Sequence, residues 1–161
     1  MAKKKKKSTS SDGRLVIAAN RKARRDYEIL DTFEAGISLK GSEVKSIREG
    51  SVNLKDSYVK VSKSEVFLVG CHISPFSHSP VDAHDVTRDR KLLLHRKEID
   101  KLAGRVKQDG LSIVPLQLYF KNGRCKLEIG LGKGKKLHDK RQDVKKKTET
   151  RRLEKTLKRV N

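Results

Sequence analysis

Between Tyr27 and Leu131 the apolar residues come mostly in short runs separated by polar or glycine-containing turns. Tyr27, Ile29, Phe33, Ile37 and Leu39 predict a strand over Tyr27–Leu39, and the preceding NRKARRD predicts a short basic turn of helix. In GSEVKSIREG, Ser42 is placed to cap a helix, Val44 and Ile47 share a face at i, i+3, and Gly50 can end it. Val52–Val61 and Glu65–Ile73 suit two strands joined near Ser62–Ser64, and Pro75 breaks the second. The stretch to Thr87 reads as loop. Helix is expected from about Leu92, with Leu94, Ile99, Leu102 and Val106 roughly in phase, until Asp109-Gly110 stops it.

The clearest local signal is Asn122-Gly123, the dipeptide preferred in two-residue hairpins of type I′. With Lys121 opposite Arg124, the pairs Phe120–Cys125, Leu118–Leu127 and Leu116–Ile129 fall on one face. Tyr119–Lys126 and Gln117–Glu128 fall on the other. At least five strands and two short helices in about 110 residues predict a mainly β fold, an oligonucleotide-binding-like antiparallel barrel spanning 19–131.

Charge changes the picture at both ends. The 161 residues carry a formal net charge of +20. Residues 1–25 hold ten Lys/Arg against Asp12, and residues 132–161 hold thirteen against four acids, so each end carries +9 and the middle only +2. A nearly neutral globule with two basic arms predicts an anionic partner, usually nucleic acid. Residues 1–18 read as a disordered arm. Residues 132–161 offer little apolar surface beyond Leu137, Val144, Leu153, Leu157 and Val160, so that tail is expected to be disordered when free and helical on RNA. Leu153, Leu157 and Val160 share a helical face.

Candidate chemistry narrows the class further. Cys71 and Cys125 have no Cys-x-x-Cys partner, which favours a reducing, cytoplasmic location, and no secretory signal or membrane span is read. Cys71 with His72, His78 and His84 does not have zinc-ligand spacing, and Asp82, Asp85 and Asp89 alternate with basic residues. No catalytic constellation, Walker loop, metal site or cofactor is indicated. RNA contact has better candidates in Arg21, Lys22, Arg24 and Arg25. Glu34, inside an apolar strand, is either a structural acid or an acceptor for a nucleobase donor. In GKGKKLHDKR the glycines admit close backbone approach and His138 can stack on a base.

Five segments go further: FEAGISLKGSEVKSIREG, VNLKDSYV, RDRKLLLHRKEI, VPLQLYFKNGRCKLEIGL and GKGKKLHDKR. In this order they resemble the signatures of the SmpB family, over essentially all of Asn20–Arg141. The resemblance implies a non-enzymatic barrel with flanking helices and a flexible basic tail. It implies bacterial ribosome rescue by trans-translation, the protein binding the tRNA-like end of transfer-messenger RNA and escorting it to stalled ribosomes. In that family the protein stands where an anticodon arm would be and its tail enters the empty messenger channel, against small-subunit RNA. Alanyl-tRNA synthetase and elongation factor Tu act through the RNA; a monomer without membrane contact is expected.

The family's RNA-contact positions fall on Glu34, Leu93 and Lys126, supported by Asn20, Arg21, Lys22, Arg24, Arg90 and Lys91. Its ribosome-binding tail falls on Lys133, Gly134, Lys135, Lys136, His138, Asp139, Lys140 and Arg141. Where the family usually has proline, this chain has Val86. The alternative is a ribosomal protein that threads ribosomal RNA with its basic arms.

Overall fold

In the computed structural model, residues 13–78 and 85–160 are described, and of 158–160 the backbone alone. Most of the N-terminal arm, Asp82, His84 and Asn161 lie outside the described residues. The Asn122-Gly123 turn forms as its residues require, with φ of 50° and 74°, joining β8 (Ser112–Lys121) to β9 (Arg124–Gly134). The expected register holds from Lys121–Arg124 back to Gln117–Glu128, and then shifts. Ile129 faces Pro115, not Leu116 as the alternation predicted. Pro115 has no N–H to give the ladder, and Leu116 becomes the extra residue of a bulge. The Leu116 carbonyl accepts the Asn20 N–H at 2.7 Å, and its side chain leaves the main core to pack with Ala23 and Val114.

β8 and β9 open a ring of antiparallel strands. β9 pairs with β2 (Tyr27–Ile37), β2 with β7 (Arg90–Leu93), β7 with β5 (Glu65–Val69), β5 with β4 (Tyr58–Ser62), and β4 returns to β8 at Val59–Ile113. Closure leaves one apolar interior, filled by Phe33, Ala35, Val66, Leu68, Leu92, Leu118, Leu127, Ile129 and their neighbours. Helix α1 (Arg21–Asp26) precedes β2; α2 (Gly41–Glu49) buries Ile47, and α3 (Arg96–Asp109) buries Leu102.

Several elements depart from the sequence reading. Leu15–Ala18, placed in the disordered arm, forms with Ala19 the strand β1 (Leu15–Ala19) on the outer edge of β8, because that strand's C-terminal half extends past β4. The strand expected over Val52–Val61 divides into β3 (Val52–Asn53) and β4, where Asp56 takes φ +62° and the Ser57 hydroxyl bonds back to the Leu54 carbonyl at 2.5 Å. Gly70, at φ +74°, likewise divides Glu65–Ile73 into β5 and β6 (His72–Ile73), and β3 pairs with β6 as a separate small sheet. α2 is capped at Lys40, not at Ser42, and begins at Gly41, because the Glu43 carboxylate accepts the Lys40 N–H at 2.7 Å. The helix expected from Leu92 begins at Arg96, and Arg90–Leu93 is strand β7 instead. The tail departs most: β9 runs on to Gly134, and Leu137–Val160 is a 24-residue helix, α4, where disorder was expected. Its prevalence of Lys, Arg, Glu, Gln and Leu favours helix at about two-thirds of the positions.

β7 carries the most unusual core residue. Arg90 is fully buried and donates from Nε to Glu43 Oε1 (2.9 Å), from Nη1 to the carbonyls of Cys71 (2.7 Å) and Arg88 (3.0 Å), and from Nη2 to that of Val86 (3.2 Å). Arg88 closes a fork on the same carboxylate, Nε to Oε1 at 2.9 Å and Nη2 to Oε2 at 2.6 Å. Glu43, equally buried, thus accepts four hydrogen bonds and locks α2 to β7 and to the loop before it. Burial alone would raise its pKa; the Arg88 fork, the Lys40 amide and the Arg90 charge instead bring it from 4.5 to about 2.

Because the folded-state pKa lies below the unfolded one, this clamp contributes fully above pH 4.5 and is lost as pH falls towards 2. A shift of that size corresponds to about 3 kcal/mol. Urea unfolding at a series of pH values should show Glu43→Gln less stable than the wild type at pH 7, the gap narrowing between pH 4.5 and 2. A gap that does not change with pH would disprove the ionic account of the clamp.

Candidate nucleic-acid interface

Strand pairing assembles a row of outward positions across the barrel. Leu93 on β7 is the cross-strand partner of Gly36 on β2, Gly36 of Lys126 on β9, and Lys126 of Tyr119 on β8. Lacking a side chain, Gly36 leaves a gap between Leu93 and Lys126; a Cβ there would press on the Leu93 Cβ at 3.2 Å. The gap deepens into a cleft of about 580 Å³ lined by Glu34, Gly36, Leu93, Lys126 and apolar neighbours such as Phe120. Leu93 stands 55% exposed at its edge, a large apolar side chain that the fold does not use.

Glu34 lies two residues before Gly36, between buried Phe33 and Ala35, so the alternation of β2 turns it outwards. The Tyr119 hydroxyl donates to its Oε2. Arg14 and Lys121 approach Oε2 at 3.7 and 3.8 Å, and Lys126 approaches Oε1 at 3.9 Å. The hydrogen bond from Tyr119, and then the charges of Lys121, Lys126 and Arg14, hold the Glu34 carboxyl below its ordinary pKa against partial burial. It is therefore an ionised acceptor among cations. A carboxylate cannot hydrogen-bond a phosphate diester, which has no proton to give, but it can take an amino, imino or hydroxyl donor while the cations hold phosphates nearby.

The other residues singled out by sequence divide by exposure. Arg21, Lys22 and Arg24 are exposed on α1; Lys22 is paired with Asp56, and Arg24 approaches Glu128 at 3.6 Å. Glu128 faces Glu34 across the ladder, which ties Arg24 to the same surface. Lys91 is exposed on β7 and paired with Glu65. Two residues are not available to a ligand. Arg90 is the buried partner of Glu43. Asn20 is buried and caps α1, accepting the Ala23 N–H at 3.1 Å while its amide donates to the Leu54 carbonyl at 3.1 Å. Basic character beside a strand does not reveal which arginine points inwards. Tyr119, Gly36, Lys121 and Arg14 were not singled out, although the hairpin register already placed Tyr119 opposite Lys126.

The tail residues gather at the root of α4. Lys133 and Gly134 end β9 opposite Glu28 and Tyr27. The Lys135 N–H bonds the Asp26 carbonyl at 2.8 Å, and Lys140 Nζ lies 3.5 Å from the Asp26 carboxylate. The end of α1 therefore fixes where α4 departs. Lys136, His138, Asp139 and Arg141 are exposed there, as are Val144, Leu153 and Leu157 further along. Gly132, earlier in β9, serves the fold rather than a ligand: a Cβ would meet the Glu28 carbonyl oxygen at 2.6 Å. Burial pushes the thiols of Cys71 and Cys125 up to about 11 and about 12, so neither is a thiolate at neutral pH. No described helix is long and apolar enough to cross a membrane.

The family model for SmpB protein matches residues 17–159. An SsrA-binding protein of Acetivibrio thermocellus is 56% identical over 143 residues, 89% of this chain and 93% of that protein. One of Syntrophobacter fumaroxidans is 53% identical over 156 residues, 97% and 96% of the two chains. A solved chain described as "tmRNA-SmpB: a journey to the center of the bacterial ribosome" superposes with a TM-score of 0.63 at 46% identity, covering 74% of this chain and 85% of that one.

The split between structural and exposed residues has a measurable consequence. Asn20→Ala removes a helix cap and the buried tie from α1 to the Leu54 carbonyl, and should cost about 1–3 kcal/mol in a denaturant titration. Arg21→Ala, one residue on and exposed, should stay within about 0.5 kcal/mol of the wild type. Equal stability of the two variants would remove the structural assignment of Asn20.

Proposed function

The chain belongs to the SmpB family, and on that premise we propose that it binds the tRNA-like domain of transfer-messenger RNA and delivers it to stalled ribosomes for trans-translation. The observation that carries this reading is the spatial separation of two built features: the Glu34–Leu93–Lys126 cleft on the barrel, and the basic root and helix that leave it at Asp26. One protein with two such surfaces can hold one RNA while engaging another.

In this reading Glu34 accepts a donor from the tRNA-like domain, Leu93 packs on an exposed base or ribose, and Lys126 neutralises phosphate, with Arg21, Lys22, Arg24 and Lys91 extending the electrostatic track. The tail residues Lys133, Lys135, Lys136, Lys140 and Arg141 grip small-subunit RNA, and His138 stacks on a base. Asp139 stays in the first turn of α4, where its charge suits the helix N-terminus and its Oδ2 lies 3.3 Å from the Lys136 N–H. Alanyl-tRNA synthetase and elongation factor Tu act through the RNA, the work is binding rather than catalysis, and it takes place where ribosomes are, in the cytoplasm. The reading as a resident ribosomal protein is not favoured, because family membership and the formed cleft both point to a dedicated RNA ligand.

Lys126→Ala removes one phosphate contact and should weaken binding to a transcript of the tRNA-like domain by about 1–2 kcal/mol, measured by filter binding. Unchanged affinity would move the interface elsewhere on the barrel. Since β9 ends at Gly134, the informative truncation is after Lys136. That protein should keep most of its affinity for the free RNA yet fail to support peptide tagging on stalled ribosomes. Tagging at the full rate without α4 would contradict the division of labour.

A further inference from the structure

We infer that Tyr119 is a positioning residue for RNA recognition by Glu34, an inference that rests on Glu34 being the RNA contact proposed above. Tyr119 is fully buried, yet its hydroxyl reaches Oε2 of Glu34, whose side chain is 34% exposed. The Arg14 guanidinium lies over the Tyr119 ring at 4.9 Å and approaches the same carboxylate oxygen, as does Lys121. Oε2 is thereby committed to protein partners. Oε1 is left on the side of Lys126, the residue that shares the cleft with Glu34 and Gly36.

Two physical costs explain why such a tether is useful. A glutamate on an open sheet surface has three rotatable bonds, whose freedom would be lost on binding RNA. Glu34 also faces Glu128 directly across the ladder, and like charges so placed repel. Untethered, the carboxylate would swing away from Glu128, and the acceptor would no longer be held beside Lys126. The Tyr119 hydroxyl holds it from beneath the surface, where RNA cannot compete for it. Tyrosine suits the role because its aromatic body stays in the barrel wall while its one polar atom reaches the rim.

The test is a double-mutant cycle in the full chain with Tyr119→Phe and Glu34→Ala, read by binding to a transcript of the tRNA-like domain. Phenylalanine keeps the ring and the contact with Arg14, and removes only the O–H. Tyr119→Phe should weaken binding about tenfold, the effect of one hydrogen bond to a charged group, and the double variant should bind no more weakly than Glu34→Ala alone. In the free protein, a carbon-13 NMR titration should show the Glu34 carboxyl midpoint rising in Tyr119→Phe. A merely structural tyrosine would weaken binding equally in the Glu34→Ala background, and that additivity would overturn the inference. So would wild-type affinity in Tyr119→Phe while Glu34→Ala binds poorly. Wild-type affinity in Glu34→Ala is a different failure, because it removes the premise that Glu34 touches RNA.

Discussion

The buried carboxylate of Glu43 is the constraint on which the rest of this structure depends. It takes the Arg88 fork, the Arg90 guanidinium and a backbone amide, while Arg90 goes on to three carbonyls from the loop before β7 and from Cys71. A buried ion set of this kind adds little net stability over an apolar core of the same shape, but losing one member leaves an uncompensated charge. Its value is therefore positional. It fixes β7 between β5 and β2 in the ring of strands, and with Arg90 turned inwards the alternation turns Lys91 and Leu93 out. Exposure of Leu93 beside Gly36 is a consequence of where Arg90 is held.

The same logic of paired charge organises the outer surface. The carboxylates of the barrel face are matched: Glu34 by Tyr119 and three cations, Glu128 by Arg24, Asp26 by Arg25 and Lys140. Acids and bases are nearly equal in number between the two ends, so the excess positive charge is concentrated in the N-terminal segment and in the C-terminal segment that carries α4. A neutral, shaped surface can discriminate one RNA fold through hydrogen bonds, whereas an exposed basic helix binds phosphate with little discrimination. In the proposed function, separating the two lets selectivity for one RNA coexist with strong attraction to another.

Asp26 joins the two parts. Its carbonyl and carboxylate hold Lys135 and Lys140, so α4 leaves the barrel from the end of α1. Asn20, at the other end of α1, is tied to Leu54 and Leu116. α1 is thus braced at both ends, and a six-residue helix too short to be stable alone becomes a fixed mount for the tail.

Local determinants were legible in the chain itself. Asn122-Gly123 set the hairpin and its register as far as Gln117, Gly50 and Gly110 ended the helices that they follow, and the distribution of Lys and Arg separated the neutral body from the basic ends. Each of these depends on one residue's backbone preference or on neighbours in sequence, which is why a linear reading finds them. Tertiary structure alone decided that Leu116 leaves the register, that Leu15–Ala19 becomes a strand, and that Arg90 lies inside while Leu93 lies outside. Each of those outcomes depends on partners far along the chain: Asn20 for the Leu116 carbonyl, the free edge of β8 for β1, and Glu43 for Arg90. An Arg-Lys pair followed by leucines reads as basic surface beside apolar core until a buried carboxylate 47 residues from Arg90 reverses the assignment.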